Sequence, residues 1–312
     1  MRVLDRAMVR VLPAVPRRIV QRVSAPYIAG PTLEDARRVV ARLNGEGKLA
    51  TVDVLGEEVR SPAEAETIAS AYHSVLDAIA ADHLDANVSV KLTALGLQLD
   101  LDLCRSLLAT VVADAAARGI FVRIDMEDSS CTDDTLLLYR ELRERGRDEL
   151  GIVLQSRLRR SLADVASLAD LRPSVRLCKG IYLEPESIAY TGRDEIRESF
   201  LQILDALLEA GCYVALATQD EWLLERSLPR VDGLEREGYE VQFLLGVREA
   251  RASELVAEGH RLRVYVPYGA RWYEYSLRRL QENPSLAGTV AKATLGRLVP
   301  RREWRDGRQG SG

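Results

Sequence analysis

Near the carboxyl end of the chain, Tyr275, Arg278 and Arg279 fall at i, i+3 and i+4 in the run YEYSLRRLQEN. On a helix such positions share one face, with Cβ atoms about 5–6 Å apart, so a phenol and two guanidinium forks converge. Two such forks suit a carboxylate, which an arginine binds through paired hydrogen bonds, and the ring beside them supplies an apolar wall. The same spacing also fits two arginines on a solvated helix face. What favours the clamp is the rest of the chain, where polar side chains close one hydrophobic run after another. In order they are Glu57 after Gly56, Lys91, Asp125-Met126-Glu127, Gln155, Arg176 with Lys179, Thr218-Gln219, Gln242 and Tyr265.

The elements that must position these residues are legible as an alternation. Runs of β-type residues occupy 49–55, 88–92, 121–125, 152–155, 175–178, 213–218, 240–245 and 262–266. Helix-patterned stretches lie between them at 64–82, 101–118, 133–145, 161–171, 193–210, 221–237 and 248–258, and Thr32-Leu-Glu-Asp opens an earlier helix with a capping residue and acids. Gly119, Gly151, Gly211, Gly238 and Gly259 stand where helix C-caps are expected. Eight β–α alternations predict a parallel sheet, and eight strands close a barrel. No GxGxxG follows the first strand, which counts against a Rossmann sheet. The expectation is an α/β fold of the (β/α)8 type, with chemistry gathered at the carboxyl ends of the strands.

Composition narrows the function classes. The chain has 312 residues, 47% of them hydrophobic, enough for one large core. A net charge of −4 with interleaved acids and bases argues against a nucleic-acid surface. Cys104, Cys131, Cys178 and Cys212 show no CxxC pair and read as reduced thiols of a cytoplasmic protein. His73, His83 and His260 have no metal-ligand spacing, so no metal is expected. No apolar run reaches the ~20 residues of a membrane span, and no signal peptide is visible. The expected organisation is a helical arm over 1–30, a catalytic barrel over 31–300 and a disordered tail over 301–312. Within the arm, six arginines interleave with Val, Leu, Ile and Met. This is a pattern for an arm packed across the body or for peripheral contact with an anionic membrane.

The motifs SVKLTALG, VRIDMED, VLQS, VRLCKGIYLEP, YVALAT and the VYVPYG…WYEY..RRL.EN ending resemble the proline dehydrogenases, over Tyr27 to Asn283. The likeness is to the short, single-function bacterial form. It implies an FAD enzyme on a distorted barrel whose last helix covers the mouth. By that resemblance, Arg278 and Arg279 hold the substrate carboxylate, Tyr275 packs on the pyrrolidine ring, and Lys91 and Asp125 form an ion pair beside the substrate. Gln155, Arg176 and Lys179 match flavin contacts, Thr218, Gln219 and Gln242 match further cofactor-side positions, and Met126 contacts the flavin through its backbone. The implied reaction takes a hydride equivalent from C5 of L-proline to flavin N5, giving Δ1-pyrroline-5-carboxylate, with electrons passed on to a quinone. Arg176 and Lys179 also suit a pyrophosphate held without a glycine-rich loop, which needs side-chain cations.

Three positions depart from the family pattern. Gln219 stands where a histidine is usual and cannot become cationic. Arg157 replaces a common aromatic, and Leu245 a frequent tyrosine. They leave room for another cyclic amino acid as substrate, such as hydroxyproline, pipecolate or a modified proline. A non-catalytic sensor of proline or flavin is the reading from a different class. A metal-dependent barrel aldolase or hydrolase is the remaining one, because Asp125 and Glu127 at i, i+2 share a strand face.

Overall fold

The computed structural model describes residues 20, 24–56, 59–234, 238–273 and 275–276. Two compact units divide the chain, Pro26–Trp272 and a second made of Met1–Ala25 with Tyr273–Gly312. Glu57, the expected tail, Arg278, Arg279 and most of the expected arm lie outside the described residues. Among the described residues no helix is long and apolar enough to cross a membrane.

Within Pro26–Trp272 the strands are β1 (Leu49–Val54), β2 (Ala86–Val90), β3 (Val122–Ile124), β4 (Leu150–Gln155), β5 (Ser174–Cys178), β6 (Tyr213–Ala217), β7 (Tyr239–Leu244) and β8 (Leu262–Tyr268). They close a barrel in sequence order, every neighbour parallel, with β8 returning to β1 from Leu49↔Arg263 to Val54↔Tyr268. The helices are α1 (Leu33–Gly45), α2 (Pro62–Ala81), α3 (Leu101–Ala117), α4 (Thr132–Glu144), α5 (Ser161–Leu168), α6 (Arg193–Glu209), α7 (Glu221–Val231) and α8 (Glu249–Ala257). This is the (β/α)8 barrel that the alternation predicts.

Local chemistry explains several element ends. Thr32 and Asp35 form a capping box at α1, Ser61 caps α2 with Pro62 in its first turn, and Asp100 caps α3. β2 ends earlier than the 88–92 run because a tight helical turn at Thr93–Leu95 carries Lys91 and Leu92 out of the ladder. β8 runs past the expected 266. Pro267 lacks an N–H, yet its carbonyl accepts from Ala29 N at 2.9 Å and the ladder continues to Tyr268. α7 stops at Val231, two residues after Pro229, short of the expected 237.

Gly151 corrects the C-cap expectation. It lies inside β4, paired with Arg123 and Ser174, while Gly146 (φ +78) follows the end of α4. A Cβ at Gly151 would stand 2.6 Å from Phe121 Cζ and collide with the Arg123 guanidinium. Glycine is there because a neighbouring side chain crosses the strand.

Alternation along the strands sorts the residues into two shells. Val88, Val90, Ile152, Leu154, Val214, Leu216, Val241 and Phe243 belong to the hydrophobic core with helix residues such as Tyr72, Leu108, Phe200 and Leu223. The opposite strand positions carry Thr51, Asp53, Ser89, Arg123, Arg176, Glu240, Gln242 and Arg263, all buried. Barrel interiors are usually filled with branched aliphatic side chains. Here hydrogen bonds and ion pairs fill much of it.

Candidate active site

At the carboxyl ends of β1, β2, β3, β5 and β8, five side chains form one connected network. Lys91 Nζ lies 2.8 Å from Asp53 Oδ2 and donates to Tyr265 Oη at 3.0 Å. The same phenol donates to Asp125 Oδ2 at 3.0 Å, and Arg176 Nη1 donates to Asp125 Oδ1 at 2.5 Å. Arg176 also donates to Ser89 Oγ at 2.9 Å and through Nε to Gln242 Oε1 at 2.6 Å. Arg176 Cζ lies over the Tyr265 ring, 5.4 Å from its centroid, while Lys91 sits beyond the hydroxyl edge of the same ring.

Two carboxylates and two cations make this network neutral in sum. Removing single charges from water is costly, so buried ions persist when paired and hydrogen-bonded. Register supplies the geometry. Asp53, Lys91, Asp125, Arg176 and Tyr265 sit at the inward phase of their strands or just beyond, and Ala215, paired with Arg176 across β5–β6, leaves the guanidinium room. Lys91 and Asp125 do face each other as the sequence suggests, at 3.8 Å, but each has a nearer partner, in Asp53 and Arg176.

The residues expected on the cofactor side separate into three groups. Gln155 is buried and donates through Nε2 to the carbonyls of Met126 (3.1 Å) and Glu127 (2.9 Å), so the Met126 carbonyl is already engaged. Gly180, at φ +89, lies against Gln155, and a Cβ there would come 2.7 Å from its Oε1. Lys179 and Thr218 converge instead on Asp220. Lys179 Nζ is 3.2 Å from its carboxylate, Arg197 grips both oxygens at 2.6 and 3.0 Å, and Thr218 Oγ1 accepts from its backbone N–H. Burial pushes the Asp220 carboxyl up, but the Arg197 hydrogen bonds and the Lys179 charge outweigh it and hold it down at about 2. Arg176 and Gln242 form the third group, inside the barrel and bonded to each other. Arg176 thus bonds Asp125, Ser89 and Gln242, whereas Lys179 is paired with Asp220.

Gln219 is half-buried and its Nε2 is a buried donor with no acceptor among the described residues, while its carbonyl accepts from Arg248 Nη1 at 2.8 Å. The other departures are engaged locally: Arg157 donates to the Tyr182 carbonyl at 2.8 Å, and Leu245 is buried. Glu127, half of the carboxylate pair considered for a metal, accepts from Thr93 N at 3.0 Å and from the Thr93 hydroxyl, on partners separate from those of Asp125. In the second unit Tyr275 is 7% exposed. Its convergence with Arg278 and Arg279 lies outside the described residues.

Sequence reasoning passed over Asp53, Ser89, Asp220 and Arg197, and placed Tyr265 at a strand end without a role. Asp53 had a signal: an acid alternating with Thr51 inside the apolar strand LATVDV. Arg197 had none, being one arginine among several on α6.

A closed eight-stranded parallel barrel with an ionisable network toward the carboxyl ends of its strands is the architecture of barrel enzymes. The family model for proline dehydrogenase matches residues 36–292, and the chain belongs to that family. It is 37% identical to proline dehydrogenase 1 of Bacillus subtilis subsp. natto over 271 residues, 86% of this chain and 89% of that protein. It is also 37% identical over 275 residues to proline dehydrogenase of Deinococcus radiodurans, with the same shares. Among solved structures, proline utilization A from Bdellovibrio bacteriovorus, inactivated by N-propargylglycine, superposes with a TM-score of 0.78 at 27% identity. That match covers 87% of this chain and 34% of the larger protein, so the chain spans about a third of its length.

Proposed function

We propose that this protein is an FAD-dependent L-proline dehydrogenase that forms Δ1-pyrroline-5-carboxylate and delivers the electrons to a quinone. The observation that carries the reading is the neutral Asp53–Lys91–Tyr265–Asp125–Arg176 network, in a chain of the proline dehydrogenase family. The donor set suits a flavin nucleotide. The unpartnered Gln219 Nε2, the half-exposed Lys179 ammonium and the side-chain-free Gly180 beside Gln155 leave donors and room on one side of the mouth. Gln155, Lys179, Thr218 and Gln219 would hold the cofactor, together with backbone from Met126. Arg176 and Gln242 would act from beneath, by fixing Asp125. Bound there, the flavin supplies the acceptor for the hydride equivalent from substrate C5.

The residues of the chain do the remaining work. Hydride loss builds positive charge on the ring nitrogen, so an uncompensated cation beside it would oppose the reaction. Pairing Lys91 with Asp53, and Arg176 with Asp125, removes that opposition while holding the site rigid before substrate arrives. Tyr265 links the two pairs, donating to Asp125 while accepting from Lys91. Tyr275, Arg278 and Arg279 are assigned the substrate carboxylate and ring, on their helical spacing and the family pattern.

The deciding experiment is a visible spectrum of the purified protein, followed by anaerobic proline. A yellow protein that bleaches with proline and reduces a quinone analogue is expected. A colourless protein inert to proline would defeat the reading.

A further inference from the structure

The amino-terminal end of the barrel holds a cavity of about 740 Å³, within the roughly 300–1,000 Å³ range of small-ligand sites. Its lining comes from the first residues of β1, β2, β5 and β6, and from the starts of β3, β7 and β8, so it opens opposite the network described above. Four arginines line it (Arg118, Arg123, Arg261, Arg263) against two carboxylates, Asp85 and Glu240.

Their pairing is uneven. Arg263 grips Glu240 at 2.9 and 3.0 Å, and Arg118 is held by Asp77 and Asp114. Arg123, 2% exposed, has no carboxylate partner among the described residues. It leans on the carbonyls of Ile152 (2.9 Å) and Ser174 (2.5 Å) and on the Phe121 ring. Burial, and then the charge of Arg176, push its guanidinium down to about 9, against the opposing pull of the Glu240 charge. Half-buried Arg261 has neither an ion pair nor a side-chain hydrogen bond among the described residues, and the hydroxyl of Tyr213 has no partner there either. A buried cation that must share its one nearby carboxylate, Glu240, with Arg263 is only partly compensated, and donors left unused at a cavity wall are what a ligand satisfies. The remaining wall is apolar: Ile79, Leu84, Ile120 and Phe121.

We propose that this amino-terminal cavity is a second ligand site, for a small organic acid whose carboxylate pairs with Arg261 and Tyr213 while its apolar body lies against Ile120 and Phe121. Arg123 supplies long-range positive potential from beneath. An inorganic anion would leave the apolar wall uncovered, so a carboxylate with a hydrocarbon or aromatic body fits better. Within the barrel the site lies at the opposite end of the strands from the Asp53–Lys91–Tyr265–Asp125–Arg176 network, and it stands or falls independently of proline oxidation.

The test uses 4-bromobenzoate with the purified protein, by calorimetric titration and by bromine anomalous diffraction from crystals grown with it. The expected result is a bromine peak in the amino-terminal cavity and saturable binding in solution. Arg261→Ala should weaken that binding about tenfold or more, the loss of one charge-assisted hydrogen bond, and Tyr213→Phe should weaken it less. Arg278→Ala, aimed at the proposed proline clamp, should leave the affinity unchanged. A peak found only elsewhere, binding at crystal concentration only, affinity indifferent to Arg261→Ala, or inorganic phosphate binding as tightly would overturn the proposal.

Discussion

The two ends of this barrel are built from the same residue types and reach opposite electrostatic states. At the carboxyl end Asp53, Lys91, Asp125 and Arg176 alternate in sign and pair within 3.8 Å, bridged by Tyr265. At the amino end Glu240 is committed to Arg263, leaving Arg123 and Arg261 without a carboxylate among the described residues. Burial alone would lift the Glu240 carboxyl, but Arg263 beside it holds it below the ordinary range. A hydrogen-bonded column joins the ends, from Arg263 through Glu240 and Gln242 to Arg176 and Asp125. The comparison separates two uses of buried charge. Pairing in advance makes a rigid, neutral site suited to a reaction that creates charge, whereas an excess of one sign leaves a demand that a ligand can fill.

Breaking the paired end should have the largest effect. Arg176→Ala leaves Asp125, Ser89 and Gln242 without their shared donor, and should cost about 3–5 kcal/mol in a denaturant titration, as for truncating one partner of a buried ion pair. Arg176→Lys should recover only part of this, because a single ammonium cannot reach three acceptors at once. Asp53→Asn removes the nearest counter-charge of Lys91, for an expected loss of about 1–3 kcal/mol. Loss of neither variant's stability would mean that the pairing is incidental.

The pH response sharpens the contrast. Asp220 has its folded pKa depressed to about 2 from the ordinary 3.8, so its stabilisation is present above the unfolded value and is lost as pH falls from about 4 toward 2. The amount at stake is on the order of 2 kcal/mol. Acid-unfolding curves of wild type and Asp220→Asn should therefore differ near neutrality and converge in that window. Smaller still, Tyr265→Phe should lower kcat/KM about tenfold, the worth of one bridging hydroxyl, with the fold intact by circular dichroism. Smallest of all, Arg261→Ala at the unpaired end should change stability by no more than about 0.5 kcal/mol, since no partner is orphaned. An arginine at one end that matters greatly, and one at the other that hardly matters without ligand, is the outcome the comparison requires.

Much of the fold was legible because each β–α unit carries its own signals: Thr32, Ser61 and Asp100 at helix starts, and β-type runs between. Boundaries slipped where a non-local or backbone fact decided. β2 ends where Thr93–Leu95 turns, β8 persists through Pro267, and the glycine at 151 sits inside a strand because Arg123 passes over it. Of the site, Lys91, Asp125, Gln155, Arg176 and Gln242 were found from their strand-end positions. Asp53 was passed over because an acid within a strand announces nothing about its partner 38 residues away. Arg176 was matched to a flavin contact, with a fork also suited to a phosphate; its bond to Asp125 was not legible, because it depends on the register that carries β5 past β4 to β3.

The chain by itself determined the alternation, the closing number of strands and the list of ionisable groups at their ends, since these follow from short-range periodicity and residue chemistry. Only the tertiary structure decided which acid each cation meets. Pairing depends on the register between strands, and a shift of one residue turns every side chain to the opposite face.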